Sequence, residues 1–96
     1  MKGRITDILK KHLPEIKTRF RIKNIGVFGS QIRGEANKKS DIDILVEFEN
    51  GYKTFDNYMD LKFYLEELLG SKVDLVLKDA LKEELKPHIL SEVVYA

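Results

Sequence analysis

Residues 41–48, DIDILVEF, form an apolar run that carries Asp41, Asp43 and Glu47 on one side. The alternation is that of a β-strand, in which successive side chains point to opposite faces of the sheet. Ile42 and Ile44 then share one face, whereas Asp41 and Asp43 share the other. The pattern predicts a strand that packs on helices through its isoleucine face and keeps both carboxylates on the face away from that core.

Two further runs have the composition of strands: residues 22–29, IKNIGVFG, and residues 72–77, KVDLVL. Segments with apolar residues at helical spacing lie before, between and after the strands. Strands interleaved with helices predict an α/β or α+β fold in which helices pack on a small sheet. A length of 96 residues suits one domain, so residues 1–96 are predicted to form a single domain.

Several residues predict where the helices begin and end. Pro14 is expected to break the first helical stretch or to start a second short helix. Thr54 is a candidate N-cap for the helix that follows the second strand, and Gly70 suits the position just after the end of that helix. Asp79 is expected to cap a short helix over residues 80–85. The apolar C-terminal segment is expected either to fray or to dock on the sheet or on a partner.

Composition excludes several classes of protein. The 17 basic and 16 acidic residues leave a net charge of +1, which argues against a protein that coats nucleic acid, so no DNA binding is expected. The chain has no cysteine, which excludes disulfides and thiolate metal sites. The sequence shows neither a signal-peptide pattern nor an apolar run long enough to span a membrane. We expect a soluble domain in the cytoplasm.

The acidic residues of the strands predict a metal site. Asp41 and Asp43 lie about 6.6 Å apart along a strand, so their carboxylates can converge on one small hard cation. Two carboxylates this close repel each other, and a divalent metal offsets the repulsion. Asp74 takes the polar face of its own strand and joins the pair if the two strands are neighbours. A set of solvated acids is the alternative interpretation, and the loop that precedes Asp41 favours the metal site.

That loop begins with Gly29 and Ser30, directly after a strand. A turn at this place can direct backbone N–H groups and the Ser30 hydroxyl towards a phosphate, and Gly29 permits close approach of the backbone. Arg33 offers a charged fork to phosphate oxygens, and Ser40 offers a further hydrogen bond. A strand-to-helix turn capped by Ser30, with Arg33 solvated, explains these residues equally well. Together with the three acids, they are the parts of a two-metal nucleotidyl transfer site.

Residues 29–46, GSQIRGEANKKSDIDILV, resemble the GSxxRGxxxxxSDxDxxV signature of the DNA polymerase β-like nucleotidyltransferase superfamily. The short chain resembles the minimal branch of that superfamily, the MNT proteins. Ile32 departs from the alanine that many members have at its position. The resemblance implies the polymerase β-like fold, a small mixed sheet flanked by helices, with Mg²⁺ as cofactor and ATP as the usual substrate. The residues that match are Gly29, Ser30, Arg33, Gly34, Ser40, Asp41 and Asp43, with Asp74 on the downstream strand.

The resemblance also implies an activity and a partner. Many MNT proteins are MntA-type antitoxins of HEPN/MNT toxin–antitoxin pairs, which transfer AMP to a tyrosine of a HEPN ribonuclease toxin. On this basis Asp41, Asp43 and Asp74 are predicted to be catalytic and to hold the metal. Two alternatives stay open: an antitoxin that neutralises its partner by binding alone, and a nucleotidyltransferase that acts on a small hydroxylated acceptor.

Overall fold

The computed structural model describes residues 2–29 and 41–96, and of residues 2 and 3 it describes the backbone only. In this part of the chain there are α-helices, β-strands and one short 3₁₀ turn, Lys78–Ala80. The helices are α1 (Lys2–Phe20), α2 (Phe55–Leu69) and α3 (Lys86–Glu92), and the strands are β1 (Ile22–Phe28), β2 (Ile42–Phe48), β3 (Val73–Leu77) and β4 (Val94–Tyr95). No helix among these residues is both long enough and apolar enough to cross a membrane.

The described strands form one sheet in the order β3-β2-β1-β4. β2 is antiparallel to β1 and parallel to β3, and β4 is antiparallel to β1. The sheet is therefore mixed, with helices packed on it, and the predicted fold class is confirmed. The three predicted strands agree with β1, β2 and β3 to within one residue at each end. The pairing of β4 also confirms that the apolar C-terminal segment docks on the sheet.

The core lies between one face of the sheet and the helices α1 and α2. The sheet contributes alternate residues of its two neighbouring parallel strands, as the period of two predicts. Each large side chain that is fully buried here contributes about 1.5–3 kcal/mol. The buried core residues are Leu9, Ile16 and Phe20 of α1, Leu61 and Leu65 of α2, Ile22, Ile25 and Val27 of β1, Ile42, Ile44, Val46 and Phe48 of β2, and Val73 and Leu75 of β3.

The predicted break at Pro14 is wrong, because α1 continues through this residue to Phe20. An internal proline removes one backbone hydrogen bond and crowds the preceding turn. Leu9 on one side of Pro14 and Ile16 and Phe20 on the other are all buried in the core. Their packing outweighs the local cost of the proline.

The predicted cap at Asp79 is also wrong. Asp79 lies inside the 3₁₀ turn Lys78–Ala80, and its carboxylate is 3.6 Å from the ammonium of Lys53. No α-helix forms over residues 80–85. Leu85 remains 49% exposed, so a helix here would gain too little packing to offset the cost of starting it.

The predicted ends of α2 are confirmed. Thr54 Oγ1 accepts a hydrogen bond from the N–H of Asn57 at 3.2 Å, which makes Thr54 the N-cap. Gly70 has a left-handed backbone with φ of +67°, and its N–H donates to the carbonyl of Glu66 at 2.9 Å. The Asn57 side chain also donates to the carbonyl of Phe20 at 2.7 Å, so the start of α2 is tied to the end of α1.

Side chains of α2 cover part of the outer edge of β3. The N–H of Val73 donates to Glu66 Oε2 at 3.0 Å, and the Tyr58 hydroxyl donates to the carbonyl of Leu75 at 2.6 Å. An edge strand whose polar groups are occupied is less open to pairing with another strand. These two bonds also hold β3, and with it Asp74, in its place beside β2.

We expect Glu66→Gln to remove a pH-dependent part of the stability. The N–H of Val73, and after it the Lys62 ammonium 3.1 Å from Glu66 Oε2, hold the pKa of Glu66 below its ordinary value of 4.5. A lowered pKa means that the ionised carboxylate stabilises the folded state above about pH 4.5, and that this stabilisation is lost as the pH falls further. Urea unfolding should show the wild type more stable by about 1 kcal/mol near neutral pH.

The difference in stability should shrink as the pH falls below about 4.5, and it should vanish once the carboxylate is protonated in both the folded and the unfolded state. Glu67→Gln, at the exposed neighbouring position of α2, is the matched control. A difference between wild type and Glu66→Gln that stays constant from neutral pH to low pH would contradict the prediction.

Candidate active site

Asp43 and Asp74 lie side by side on neighbouring strands. They are direct partners in the parallel pair formed by β2 and β3. Neighbouring strands are about 4.8 Å apart, so the two carboxylates leave adjacent positions on the same face of the sheet. Asp43 is partly buried and Asp74 is exposed. The sequence predicted that Asp74 joins Asp41 and Asp43 only if its strand lies beside theirs, and β3 is the direct neighbour of β2.

Asp41 lies one residue before β2 and is exposed. The N–H of Ile42 donates to the carbonyl of Lys72 at 2.9 Å, so the chain next to Asp41 is held to the start of β3. Asp41, Asp43 and Asp74 therefore share one end of the pair formed by β2 and β3. As the alternation predicted, the backbone positions of all three acids lie together on the polar face, at the end of the sheet where β2 and β3 begin.

The chemistry of these three acids fits a hard divalent cation, which prefers carboxylate oxygens. Within residues 2–29 and 41–96, no group of three or more His, Cys, Asp and Glu side chains is arranged to hold a metal ion. The backbone positions of the three acids thus lie together, but their side chains are not arranged as a set of metal ligands. The predicted metal ligation by these acids stays a prediction.

Glu47, the other acid on this face of β2, is engaged elsewhere. Its Oε1 accepts a hydrogen bond from Asn24 Nδ2 at 2.9 Å and lies 3.7 Å from the ammonium of Lys78. It follows Asp43 by four residues, a distance of about 13 Å along a strand. Glu47 therefore belongs to the far end of the polar face and not to the candidate site.

The turn at Gly29 lies against Asp43. Phe28 is the partner of Asp43 across β1 and β2, so the turn begins beside this carboxylate. Gly29 has a φ of +75°, a conformation that glycine adopts without strain. A Cβ atom at Gly29 would overlap the carboxylate of Asp43. Both the backbone conformation and the close approach to Asp43 require glycine here. The predicted approach of a phosphate to Gly29 stays a prediction.

Glu92, at the end of α3, is a residue of this region that the sequence does not reveal. Its Oε1 accepts a hydrogen bond from the N–H of Gly29 at 3.0 Å, across 63 residues of sequence. Its side chain is only 16% exposed, and Oε2 lies 3.3 Å from Nε2 of His88. The only signal in the sequence is an acidic residue within an apolar C-terminal segment. The N–H of Gly29 is therefore bonded to Glu92 in this structure, and the space left by the missing side chain of Gly29 is taken by the carboxylate of Asp43.

The other predicted phosphate-binding residues lie outside the part of the chain that the structure describes. They are Ser30, Arg33 and Ser40, together with Gly34 of the signature. Their roles stay predictions. The described part of the site consists of the three acids, the turn at Gly29 and the Glu92 carboxylate behind that turn.

Known proteins are similar to this chain in sequence and in fold. The family profile described as "Nucleotidyltransferase domain" matches residues 9–96. The protein adenylyltransferase MntA of Thermococcus cleftensis is 48% identical over 91 residues, which cover 95% of this chain and 91% of the relative. The solved structure of a minimal nucleotidyltransferase is 36% identical, with a TM-score of 0.77, and the match covers 97% of this chain and 89% of that chain.

A more distant structure comes from a toxin–antitoxin complex. It is the complex of a tri-AMPylated HEPN toxin from Shewanella oneidensis with MNT antitoxin. The matching chain is 22% identical, with a TM-score of 0.57, and the match covers 98% of this chain and 66% of that chain. At this identity the likeness shows a shared fold alone.

Proposed function

We propose that this chain, which belongs to the nucleotidyltransferase family, transfers AMP from ATP to a hydroxyl group of a partner protein. Family membership confirms the prediction of a nucleotidyltransferase, and the relative at 48% identity is named a protein adenylyltransferase. The observation that carries the proposal is the position of Asp43, with Asp74 beside it on β3 and Gly29 against its carboxylate. We propose that residues 1–96 do this as one domain.

The proposed acceptor is a tyrosine of a HEPN toxin, so that the chain acts as the antitoxin of a pair in the cytoplasm. Two observations support this acceptor. The relative carries the name MntA, and the chain has the fold of an MNT antitoxin that was solved with a tri-AMPylated HEPN toxin. In the transfer, the tyrosine oxygen bonds to the α-phosphorus of ATP, pyrophosphate leaves, and the hydroxyl proton passes to a nearby base.

Mg²⁺ is the proposed cofactor, with Asp41, Asp43 and Asp74 as its ligands. When bound, a divalent ion neutralises charge on the triphosphate and favours ionisation of the attacking hydroxyl. The chain itself keeps three carboxylates at one end of β2 and β3 and brings the turn at Gly29 against the carboxylate of Asp43. Asp74 is exposed, and we propose that it lies nearest the acceptor hydroxyl, as a ligand or as the base.

The test uses the purified chain, a purified HEPN partner and ATP labelled in either the α- or the γ-phosphate. Label should pass to the partner from α-labelled ATP when Mg²⁺ is present, and transfer should stop when EDTA removes the metal. γ-Labelled ATP should leave the partner unlabelled, because pyrophosphate departs. Absence of transfer from α-labelled ATP, or transfer from γ-labelled ATP instead, would refute the proposal.

The labelling experiment and an assay of protection in cells separate the two alternatives. Label on a small hydroxylated compound and not on the HEPN partner would support an enzyme for small acceptors. Neutralisation by binding alone would leave cells fully protected by the Asp41→Asn/Asp43→Asn double variant. The sequence features in favour of binding alone are the apolar C-terminal segment and the small core. Val94 and Tyr95 pair with β1, but each residue stays 41% exposed, so the pairing leaves apolar surface open to a partner.

A further inference from the structure

We propose that Glu92 is a positioning residue of the transfer site, which holds the turn at Gly29 in place against Asp43. The inference rests on the proposed function, because it concerns the same site. Glu92 is the last residue of α3 and comes to the turn from a distant part of the sequence. Its Oε1 accepts the N–H of Gly29, which lies against Asp43, so we infer that its effect on the chemistry passes through this turn.

Gly29 lies between two carboxylates. Its N–H donates to Glu92 Oε1 at 3.0 Å, and the position that a Cβ would occupy lies against the carboxylate of Asp43. The turn cannot shift relative to Asp43 without breaking the hydrogen bond to Glu92. The length of the Glu92 side chain therefore sets the distance between the start of the loop and the central acid of the site.

The burial of Glu92 indicates that packing is not its main role. Its side chain is only 16% exposed, and a carboxylate removed from water is costly unless hydrogen bonds offset the loss of solvation. The N–H of Gly29 and His88 Nε2 at 3.3 Å provide that compensation. An apolar side chain would cover the same surface without the desolvation cost. We therefore infer that the carboxylate is present because it accepts the hydrogen bond from the N–H of Gly29.

The backbone that carries Glu92 is itself fixed to the sheet. A Cβ at Gly26 would lie 2.8 Å from Cγ2 of Val93, so the residue after Glu92 packs directly on β1. Tyr95 pairs with Gly26, and the N–H of Ala96 donates to the carbonyl of Ile25 at 2.9 Å. A side chain presented from such a held segment can position a neighbouring group closely.

We expect Glu92→Ala to lower kcat/KM for AMP transfer by about 10- to 100-fold, the usual effect of losing a residue that orients a group of the site. Glu92→Gln keeps an oxygen at the same reach and should stay within about threefold of wild type. Glu92→Asp keeps the charge but is one methylene too short, so it should lose at least about tenfold. Glu84→Ala, an exposed glutamate in the turn before α3, is the matched control.

Hydrogen exchange of the Gly29 amide, measured by NMR, tests the contact without reference to activity. Exchange should be at least about tenfold faster in Glu92→Ala than in wild type, and Glu92→Gln should preserve the protection. A wild-type chain that transfers no AMP would refute the proposed function, while the exchange rates would still decide whether Glu92 holds the turn. If Glu92→Ala does not fold, the comparison of the glutamine and aspartate variants takes its place.

Three results would overturn the role of Glu92. The first is wild-type activity and Gly29 protection in Glu92→Ala or in Glu92→Asp. The second is a glutamine variant as poor as the alanine variant, because the charge and not the hydrogen-bond acceptor would then matter. The third is a rise in activity on removal of the side chain, which would mean that the carboxylate occupies a donor that the nucleotide needs.

Discussion

Asp43→Asn should lower nucleotidyl transfer by at least about a thousandfold, which corresponds to about 4 kcal/mol of transition-state stabilisation. Asp43 is central to the site, because it pairs with Phe28 on one side and Asp74 on the other and lies against the turn at Gly29. Asparagine keeps the shape of the side chain and removes its charge. The loss of activity would therefore report on the charge of the carboxylate and not on packing.

The fold should tolerate this change. Asp43 and Asp74 are like charges at directly neighbouring positions, an arrangement that destabilises a sheet in the absence of a cation. Removing one charge lessens that repulsion, and asparagine keeps the shape of the side chain. The variant should therefore stay folded, with a thermal midpoint without metal close to the wild-type value.

The measurement compares initial rates with α-labelled ATP and the thermal midpoint by circular dichroism. Asp60→Asn, an exposed aspartate on α2, is the matched control and should change neither quantity. An Asp43→Asn chain that keeps more than about a tenth of the wild-type rate would contradict a central role for this carboxylate. A rate loss accompanied by unfolding would contradict the argument from charge repulsion.

The shared position of the three acids could be predicted because strand alternation is a local property of the chain. Asp41 and Asp43 share a face in any strand that buries Ile42 and Ile44, whatever the rest of the fold does. Asp74 needed one further condition, that its strand lie beside theirs, and β3 is the direct neighbour of β2. The caps at Thr54 and Gly70 were equally predictable, since a cap depends on a few consecutive residues.

The features that could not be predicted depend on packing between distant parts of the chain. The bond between Gly29 and Glu92 exists only because the C-terminal segment docks on β1, and nothing near Glu92 in the sequence indicates its partner. The passage of α1 through Pro14 has the same origin, because the apolar side chains of that helix outweigh a local preference. Local chemistry thus predicts which residues can act, and tertiary packing decides what holds them.

Gly29→Ala tests the closest approach in the site, and we expect it to lower transfer by at least about a hundredfold. Alanine at φ of +75° carries about 1–2 kcal/mol of backbone strain. It also places a Cβ on the carboxylate of Asp43, so either the turn or the acid must move. A displacement of about 1 Å at a reacting centre is enough for an effect of this size.

Gly51→Ala is the control that separates backbone strain from the overlap with Asp43. It has a φ of +87°, and a Cβ there would meet no atom within 4 Å, so Gly51→Ala carries the strain alone. Gly51→Ala should cost about 1 kcal/mol of stability and leave transfer unchanged. Gly29→Ala should cost about 2–3 kcal/mol, because the overlap is added to the strain. Equal stability losses and equal rates in the two variants would show that Asp43 and Gly29 are not in close contact.

A double variant isolates the contact itself. Asp43→Ala removes the carboxylate that the new Cβ would meet, so Gly29→Ala in that background should cost only about the 1 kcal/mol expected of Gly51→Ala. Urea unfolding of the single and double variants gives the coupling free energy between the two positions. We expect about 1–2 kcal/mol of coupling. Additive effects would mean that Gly29→Ala destabilises the protein through backbone strain alone and not through contact with Asp43. Since Asp43 and Gly29 belong to the acid and loop sides of the site, this coupling measures how tightly the fold holds one against the other.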